Sequence, residues 1–401
     1  MLGVEDRFPA PERFADACDR LHALAAAQIG SRDFGAGDYL PGLKALLQSM
    51  DYDPQFTERG RRIAWGALLT TLCSRGQAAR GMRQAADLGS VPVSRPVVIT
   101  GLHRTGTTAL HKLMSVDSRF QGLQSWLAAA PMARPPRAEW ENIPAFREAM
   151  RQLQGRFAGS PDLRAIHDMA ADEVDECGGI LFHGFTSLVW TVAWSAASYD
   201  AWWQTQSERP HYAYFKRVLQ LIGSTEPDKR WLLKHPPHIA NLDLLFATFP
   251  DALVIQTHRD PGKAIPSLCS LVMANHDLME EGRRDQRGRL LGYRMTGWAA
   301  RALRNAEPVR RSHSDRILDI RHADFHRAPM ATMRQIYRFI GWDLALDVAE
   351  AMEQRVAARP EARHGEHRYK AIDFGLSEEE IREQFGSYTL DFDLMSAGAG
   401  E

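Results

Sequence analysis

The chain has 401 residues, of which 44% are hydrophobic and 25% are charged, the composition of a globular protein with a large core. Its formal net charge of -1 excludes the broad basic field by which nucleic-acid binders attract a polyanion, so any anion site must be local. The four cysteines lie far apart without a C-x-x-C pair, which indicates neither a zinc site nor a disulfide framework. We therefore expect a cytoplasmic protein.

The region from residue 1 to 90 is predicted to be helical. Three of its stretches carry apolar residues at helical spacing: ERFADACDRLHALAAAQ, YLPGLKALLQSM and RRIAWGALLTTLCSRGQAARGMRQAADL. The start, MLGVEDRFPAPERF, has two acidic residues among its first six and no apolar core, so no secretory signal is expected. This region is predicted to be a helical cap or a dimerisation surface.

A strand, a glycine-bounded loop and a helix start follow one another between Pro96 and Met114. The β-branched run Val97–Thr100 predicts a buried strand, and the loop Gly101–Gly106 has glycines at both ends, where the backbone can turn tightly. Thr107 begins the helix. Because free amide N–H groups and the helix dipole point at such a loop, the stretch predicts a phosphate cradle.

The cradle departs from the nucleotide-triphosphate P-loop in one position. That loop has the pattern G-x4-G-K-[ST], whereas the spacing here is Gly101-x4-Gly106-Thr107-Thr108, without the lysine. A cation occurs instead at Arg104, two residues before the second glycine. The alternative interpretation is an ordinary strand–turn–helix with a glycine-rich turn.

A segment without Asp, Glu, Lys or Arg runs from Gly178 to Tyr199 and is long enough to span a bilayer. His183, several Ser and Thr, and the lack of Lys or Arg at its ends argue against a membrane span. We expect a buried helix or pair of helices. The aromatic residues in and after this segment fit either the core or the wall of an apolar acceptor pocket: Phe182, Phe185, Trp190, Trp194, Tyr199, Trp202 and Trp203.

Three further strands are predicted at Trp231–Leu233, Leu253–Thr257 and Ile317–Ile320, each followed by a helical stretch. Strands that alternate with helices over short links predict a parallel sheet with crossover helices. The predicted fold class is α/β: a P-loop-type parallel sheet flanked by helices, with an added helical N-terminal region. Residues 91–345 would form the catalytic domain, and residues 346–401 a C-terminal extension that packs on it.

Polar or cationic residues end these strands, at the sheet edge where ligands of such folds bind. Lys234 and His235 follow the second predicted strand, and Arg259 follows the third. Ser267 lies eight residues after Arg259, in the next helix, so a guanidinium and a hydroxyl could reach one phosphate. Together with the loop of Arg104, these residues predict a nucleotide with two separate phosphate groups.

The sequence resembles the sulfotransferases that use 3′-phosphoadenosine 5′-phosphosulfate (PAPS), over residues 96 to 342. The family's P-K-S-G-T-T loop, which holds the 5′-phosphosulfate, matches Arg104-Thr105-Gly106-Thr107-Thr108, with arginine in place of lysine. Its R-x-P strand end with a serine eight positions later, which holds the 3′-phosphate, matches Arg259 and Ser267. Lys234 matches the lysine of its K-T-H-L-P strand end. RHADF is similar to the family's Y-E-D-L-like strand end, and YRFIGW is similar to the F-L-G end of the helix that follows it. The chain looks most like the divergent bacterial branch.

The resemblance implies a sulfotransferase that moves a sulfuryl group from PAPS to a hydroxyl or amine of an apolar or aromatic small molecule. It implies catalytic roles for Arg104, Lys234 and His235, and no metal. From charge and composition, we expect no nucleic-acid partner and no membrane span. The donor-binding residues would be Arg104, Thr105, Gly106, Thr107, Thr108, Arg259 and Ser267.

The general base is open from the sequence. The family's histidine sits two positions after the lysine, whereas His235 sits one after Lys234, so His235 is the first candidate and His238 the second. An acidic residue of the DEVDE stretch, Glu173 or Glu176, is the third. Near the adenine, where the family has a tyrosine, this chain offers Arg321 and His322.

Two other classes of protein compete with this prediction. A P-loop kinase or NTPase would turn over ATP with magnesium, which the missing lysine disfavours. A non-catalytic nucleotide-binding protein would keep the cradle and transfer no sulfuryl group. The acceptor's identity and the oligomeric state cannot be predicted from the sequence.

Overall fold

The structure is a computed structural model that describes residues 9–159, 170–358 and 370–394. The chain divides into two compact units. The helical unit comprises Met1–Val93, Leu123–Asp228 and Ala274–Gly282, and the sheet unit comprises Ser94–Gly122, Lys229–Met273 and Arg283–Glu401. The sequence predicts three consecutive regions, 1–90, 91–345 and 346–401, whereas each compact unit combines separate stretches of the chain. The boundaries of the three regions stay a prediction.

The helices are numbered here in chain order across both units. They are α1 (Cys18–Ile29), α2 (Leu40–Tyr52), α3 (Glu58–Gln84), α4 (Thr107–Met114), α5 (Ser125–Ala129), α6 (Pro144–Gly159), α7 (Gly178–Leu181), α8 (Leu188–Ala193), α9 (Ala197–Trp203), α10 (Arg209–Gly223), α11 (Leu242–Thr248), α12 (Pro261–His276), α13 (Arg284–Ser312), α14 (His322–Arg327), α15 (Pro329–Ile340), α16 (Leu346–Ala358), α17 (Glu378–Gln384) and α18 (Gly386–Asp391). Short 3-10 turns occur between them, including Pro236–Asn241.

In the helical unit, α1 to α3 confirm the predicted helical N-terminal region. The helix α3 begins at a capped end, where the Thr57 hydroxyl accepts a hydrogen bond of 2.8 Å from the Gly60 amide. Farther along α3, the buried Arg75 guanidinium donates to the carbonyl oxygens of Phe34 and Ala36 and pairs with Asp38. A buried charge needs such complete pairing, so Arg75 holds the segment between α1 and α2 in place.

The charge-free segment folds as three short helices, α7, α8 and α9, rather than as one long helix. Ser187 interrupts it because its side chain caps the start of α8, accepting from the Val189 amide at 3.3 Å. Within the part of the chain that the structure describes, no helix is long and apolar enough to cross a membrane.

The sheet unit contains, among the described residues, a five-stranded sheet in the order β2-β3-β1-β4-β5. The strands are β1 (Val97–Gly101), β2 (Phe120–Gly122), β3 (Arg230–Lys234), β4 (Leu253–His258) and β5 (Ile317–Arg321). Each neighbouring pair is parallel, as the alternation of strands and helices predicted. The predicted fold class is therefore confirmed, and β1 is the central strand, with β3 and β4 beside it.

Both faces of the strands β1, β3 and β4 are buried. On one face, a continuous apolar cluster joins Val97 and Ile99 of β1 and Ile255 of β4 to residues of α4, α15 and α16. On the other face, Val98 and Val254 are fully buried, and α13 packs against the 3-10 turn Pro236–Asn241. Parallel strands covered on both sides read as unbroken apolar runs, which is why the sequence predicted them.

β1 and β4 approach each other closely at their carboxyl ends, where Gly101 lies opposite Thr257. Gly101 has φ +145°, and a Cβ added there would come to 2.4 Å from the Thr257 carbonyl oxygen. Only glycine fits this position, because it lacks the Cβ and tolerates the dihedral angle. The glycine therefore sets the distance between the loops that follow the two strands.

We expect Gly101→Ala to lower the free energy of unfolding by about 3 kcal/mol, because the new methyl group meets backbone at a disfavoured φ. Urea denaturation measures the change. Gly386→Ala, in the same unit, is the matched control. A Cβ there meets no described atom within 4 Å, and its effect should stay below about 1 kcal/mol. Wild-type stability in Gly101→Ala would contradict the argument.

Candidate active site

The loop between β1 and α4 is fixed by its own hydrogen bonds. The buried Thr105 hydroxyl donates to the Leu102 carbonyl oxygen at 2.7 Å and lies 2.6 Å from the Thr257 hydroxyl of β4. Gly106 has φ +88° and immediately precedes the first residue of α4. The N–H groups of the first residues of α4 therefore have a fixed orientation, as an anion cradle requires.

Arg104 is the residue of this loop with an unfavourable backbone. Its φ of 66° is in the left-handed region, which residues with a Cβ rarely adopt. Such strain persists where the surrounding contacts hold it, and here the side chain is held by a hydrogen bond: Arg104 Nε donates to the Ser267 hydroxyl at 3.1 Å. The backbone strain thus accompanies a guanidinium directed at α12.

The second loop, between β4 and α12, contacts the first loop directly. Arg259 Nη1 donates to the Arg104 carbonyl oxygen at 3.1 Å. Ser267 lies on α12 and is buried, with 3% of its surface exposed. Arg104, Arg259 and Ser267 therefore form one connected group, although 163 residues separate Arg104 from Ser267 in the sequence.

Lys234 ends β3 on the other side of β1, and Ile99 lies opposite it in the register. Its side chain is buried, and Nζ donates to the Thr108 hydroxyl at 3.3 Å. The structure therefore brings a second cation to the first turn of α4. In this arrangement the first loop lies between Lys234 and Arg259, each supplied by a neighbouring strand end.

The two candidate histidines follow Lys234. The His235 amide donates to the Ile99 carbonyl oxygen at 3.1 Å, so the backbone continues the sheet pairing past the strand end. Both side chains are buried, with 3% of His235 and 0% of His238 exposed, and their rings lie 5.2 Å apart. A general base must reach the acceptor, and both rings are almost fully buried, so burial does not separate the two candidates.

The candidate glutamates belong to the helical unit. Glu173 and Glu176 are half-buried and lie before the short helix α7. The Gly179 amide donates to the Glu176 carbonyl oxygen at 3.1 Å. Among the described residues, no group of three or more His, Cys, Asp or Glu could hold a metal ion.

Most aromatic residues predicted as a possible acceptor wall belong to the core of the helical unit. The Phe185 and Trp190 rings stack with centroids 5.4 Å apart, and Trp194 packs on Trp190 at 5.8 Å. The Tyr199 hydroxyl donates to the Phe185 carbonyl oxygen at 2.8 Å. Core packing is thus the interpretation that holds for these buried rings. Half-buried in the same segment are Phe182 and Trp202.

His322, offered by the sequence as an adenine contact, lies against the cradle. It follows β5, and a Cβ added at Gly106 would come to 3.1 Å from its Cδ2 atom. Burial, with a smaller contribution from the positive charges of Arg259, His326 and Arg104, lowers the pKa of His322 to about 3. The imidazole is therefore neutral at pH 7, and the cradle around it is cationic.

Two supporting contacts were not predicted from the sequence. The Thr257 hydroxyl bonds to Thr105, and the ring of His103 in the first loop packs on Trp298 of α13, with centroids 5.2 Å apart. Threonine at a strand end is a weak signal by itself. The available clue in the sequence is its position two residues before Arg259, at the end of a predicted strand.

A parallel sheet with an anion cradle after its central strand and a cationic loop after the next strand defines a P-loop-type nucleotide-binding fold. Residues 96–345 match a protein-family model described as the sulfotransferase family. The chain therefore belongs to the sulfotransferase family, and the predicted family and enzyme class are confirmed.

Known relatives agree with this placement. The crystal structure of sulfotransferase STF1 from Mycobacterium tuberculosis H37Rv is 33% identical, with a TM-score of 0.84 over 94% of this chain and 100% of that chain. STF9 from Mycobacterium avium shares the fold at 24% identity, with a TM-score of 0.84 over 97% and 98% of the two chains.

The curated relatives include the omega-hydroxy-beta-dihydromenaquinone-9 sulfotransferases Stf3 of Mycobacterium bovis and Mycobacterium tuberculosis. Each is 26% identical over 219 residues, which are 51% of this chain and 53% of the relative. The chain thus spans about half the length of the curated relatives it matches.

We expect His322→Asn to reduce the acid sensitivity of the fold. An unfolded histidine titrates near 6.5 and His322 near 3, so the unfolded state binds the additional proton as the pH falls through this window. The stability that neutral His322 contributes is present above about pH 6.5 and is lost below it. Urea denaturation at about pH 7, 5.5 and 4.5 should show a shallower decline for the variant. Parallel declines would contradict the shifted pKa.

Proposed function

We propose that the protein transfers a sulfuryl group from PAPS to a hydroxyl or amine of an apolar small molecule. The observation that carries the proposal is the direct link between the two loops: Arg104 bonds to Ser267, and Arg259 bonds to the backbone of Arg104. One loop alone fits any phosphate, whereas two joined loops fit a nucleotide with anionic groups at two positions. The family membership supports the same donor.

In this proposal, each loop binds one end of the donor. Arg259 and Ser267 bind the 3′-phosphate, the guanidinium as a charged fork and the hydroxyl as a single donor. The amides from Gly106 to Thr108, together with Arg104, bind the 5′-phosphosulfate. All six positions lie within the sheet unit, and Thr108 is exposed and available to a ligand.

The transfer needs positioning and positive charge. The acceptor oxygen or nitrogen attacks the sulfur atom, the new bond to sulfur forms, and the bond from sulfur to the bridging phosphate oxygen breaks in line with it. Negative charge grows on the leaving phosphate, where Arg104 and Lys234 stabilise it. Arginine is not deprotonated in proteins, so Lys234 is the group that can supply a proton to the bridging oxygen. His235 takes the proton of the acceptor.

The acceptor is proposed to be apolar. Support comes from the curated relatives, whose name specifies a hydroxylated menaquinone derivative, a lipophilic molecule. A panel that compares lipophilic alcohols, phenols and amines with anionic sugars tests the class, and preferential sulfation of the sugars would contradict it. A cytoplasmic location and a reaction without metal stay predictions.

We expect Arg259→Ala to weaken the binding of adenosine 3′,5′-bisphosphate by about 10- to 100-fold, because the substitution removes charged hydrogen bonds to the 3′-phosphate. The affinity for adenosine 5′-monophosphate, which lacks that phosphate, should change little. Isothermal titration calorimetry measures both. The proposal fails if the wild-type protein binds neither bisphosphate nor PAPS, or binds ATP equally well.

We expect His235→Gln to reduce kcat by about 100-fold or more while bisphosphate affinity is kept, since a general base acts on the acceptor and not on donor binding. Sulfate transfer from labelled PAPS measures kcat. The matched variants Glu173→Gln and Glu176→Gln should retain turnover. Loss of kcat in one of these, with full activity in His235→Gln, would assign the base to the glutamate instead.

A further inference from the structure

The C-terminal helices α17 and α18 contact the two residues that flank Arg259 in the sequence. Arg382 of α17 pairs with Asp260, and the Tyr388 hydroxyl of α18 bonds to His258. Both helices lie beyond residues 96–345, the part of the chain that the family model matches. The proposed 3′-phosphate loop is therefore bound on both sides by a segment that the family match leaves out.

Asp260 organises the start of α12, the helix that carries Ser267. Its carboxylate accepts from the Gly262 amide at 2.8 Å, and its carbonyl oxygen accepts from the Ala264 amide at 2.9 Å. The other carboxylate oxygen accepts two bonds from Arg382, from Nε at 2.9 Å and from Nη2 at 2.7 Å. With Arg382 on one carboxylate oxygen and the Gly262 amide on the other, the orientation of the Asp260 carboxylate is set from both sides.

A second acidic residue extends this contact. Glu378 pairs with Arg382 at 2.9 Å and with Lys263 of α12 at 2.9 Å. The pKa of the Arg382 guanidinium is raised, chiefly by its hydrogen bonds to Asp260. Ion pairs thus hold the first turn of α12 to α17. Because Arg382 is only partly exposed, solvent screens its ion pair with Asp260 incompletely.

His258 has no exposed surface and sits between three side chains. Its Nε2 lies 2.8 Å from Asp319 and its Nδ1 lies 2.9 Å from the Tyr388 hydroxyl. Burial lowers the pKa of His258, so the ring is neutral. A carboxylate only accepts, so Nε2 carries the proton and Tyr388 donates to Nδ1. Phe392 stacks on the ring with centroids 3.8 Å apart.

We propose that Arg382 and Tyr388 are positioning residues for the 3′-phosphate subsite. By fixing Asp260 and His258, they hold the backbone on both sides of Arg259 and the helix of Ser267, so that guanidinium and hydroxyl reach one phosphate. The inference rests on the proposed function, because the phosphate in question is that of the proposed donor. Neither residue is proposed to touch the nucleotide.

The test compares two nucleotides on purified full-length variants by calorimetry. Arg382→Ala should weaken the binding of adenosine 3′,5′-bisphosphate about 10-fold and leave the affinity for adenosine 5′-monophosphate unchanged, because the substitution acts only through the 3′-phosphate contacts. Arg382→Lys should recover part of the affinity, since it keeps the charge and loses the fork. Glu383→Ala, which changes an exposed side chain of the same helix, is the matched control and should bind both nucleotides as the wild-type protein does.

Coupling to Arg259 separates positioning from a general structural effect. In an Arg259→Ala background, Arg382→Ala should cause a smaller loss of bisphosphate affinity than it does alone, because only the contact of Ser267 with the phosphate is left to be weakened. Equal losses for both nucleotides, or fully additive losses in the double variant, would overturn the inference. Tyr388→Phe, which removes one hydroxyl, should show the same selective loss to a smaller extent and serves if Arg382→Ala does not fold.

The outcomes distinguish this inference from the proposed function. A wild-type protein that fails to prefer the bisphosphate over the monophosphate contradicts the proposed function itself. A wild-type protein that has this preference, with Arg382→Ala and Tyr388→Phe retaining it in full, contradicts only the role of the C-terminal helices.

Discussion

The in-register pairing of β1 with β4 is the constraint on which the site depends. Gly101, the last residue of β1, lies opposite Thr257, the second-last residue of β4, and the missing side chain at Gly101 lets the backbones approach. The loops that follow therefore start close enough for the Arg259 guanidinium to reach the carbonyl oxygen of Arg104. Two loops far apart in the sequence become one cationic surface, although the whole chain is almost neutral. In so nearly neutral a chain, this positive charge is a local feature and not a long-range field.

The sequence predicted the parts of the fold that short segments determine by themselves. The strands β1, β3 and β4 are largely apolar runs buried on both faces, and this pattern can be read from the sequence. The edge strand β5 is only partly buried, but its isoleucines Ile317 and Ile320 still mark it in the sequence. β2 was missed because its three residues, Phe120–Gly122, have no periodicity and form a strand only by pairing with β3. Arg104, Arg259 and Ser267 could be proposed because their spacing along the chain is itself the signal.

Contacts between distant segments could not be predicted. Nothing near Asp260 in the sequence indicates that Arg382, 122 residues later, pairs with it. The role of the aromatic residues between Phe182 and Trp203 could not be predicted either. Composition gives the same expectation for a packed core and for an apolar pocket, and only burial distinguishes them. The stacked, inaccessible rings of Phe185 and Trp190 resolve that choice for the interior of the helical unit.

The left-handed backbone of Arg104 has a consequence for how this loop can change. At φ 66° a glycine would be more stable than any residue with a Cβ, so the fold alone favours losing the arginine. Replacement by lysine would keep the strain and give up the planar donor that contacts Ser267. Stability and charge therefore act in opposite directions at a single position. A library selected only for thermal resistance should accumulate glycine there, whereas one selected for nucleotide binding should retain arginine.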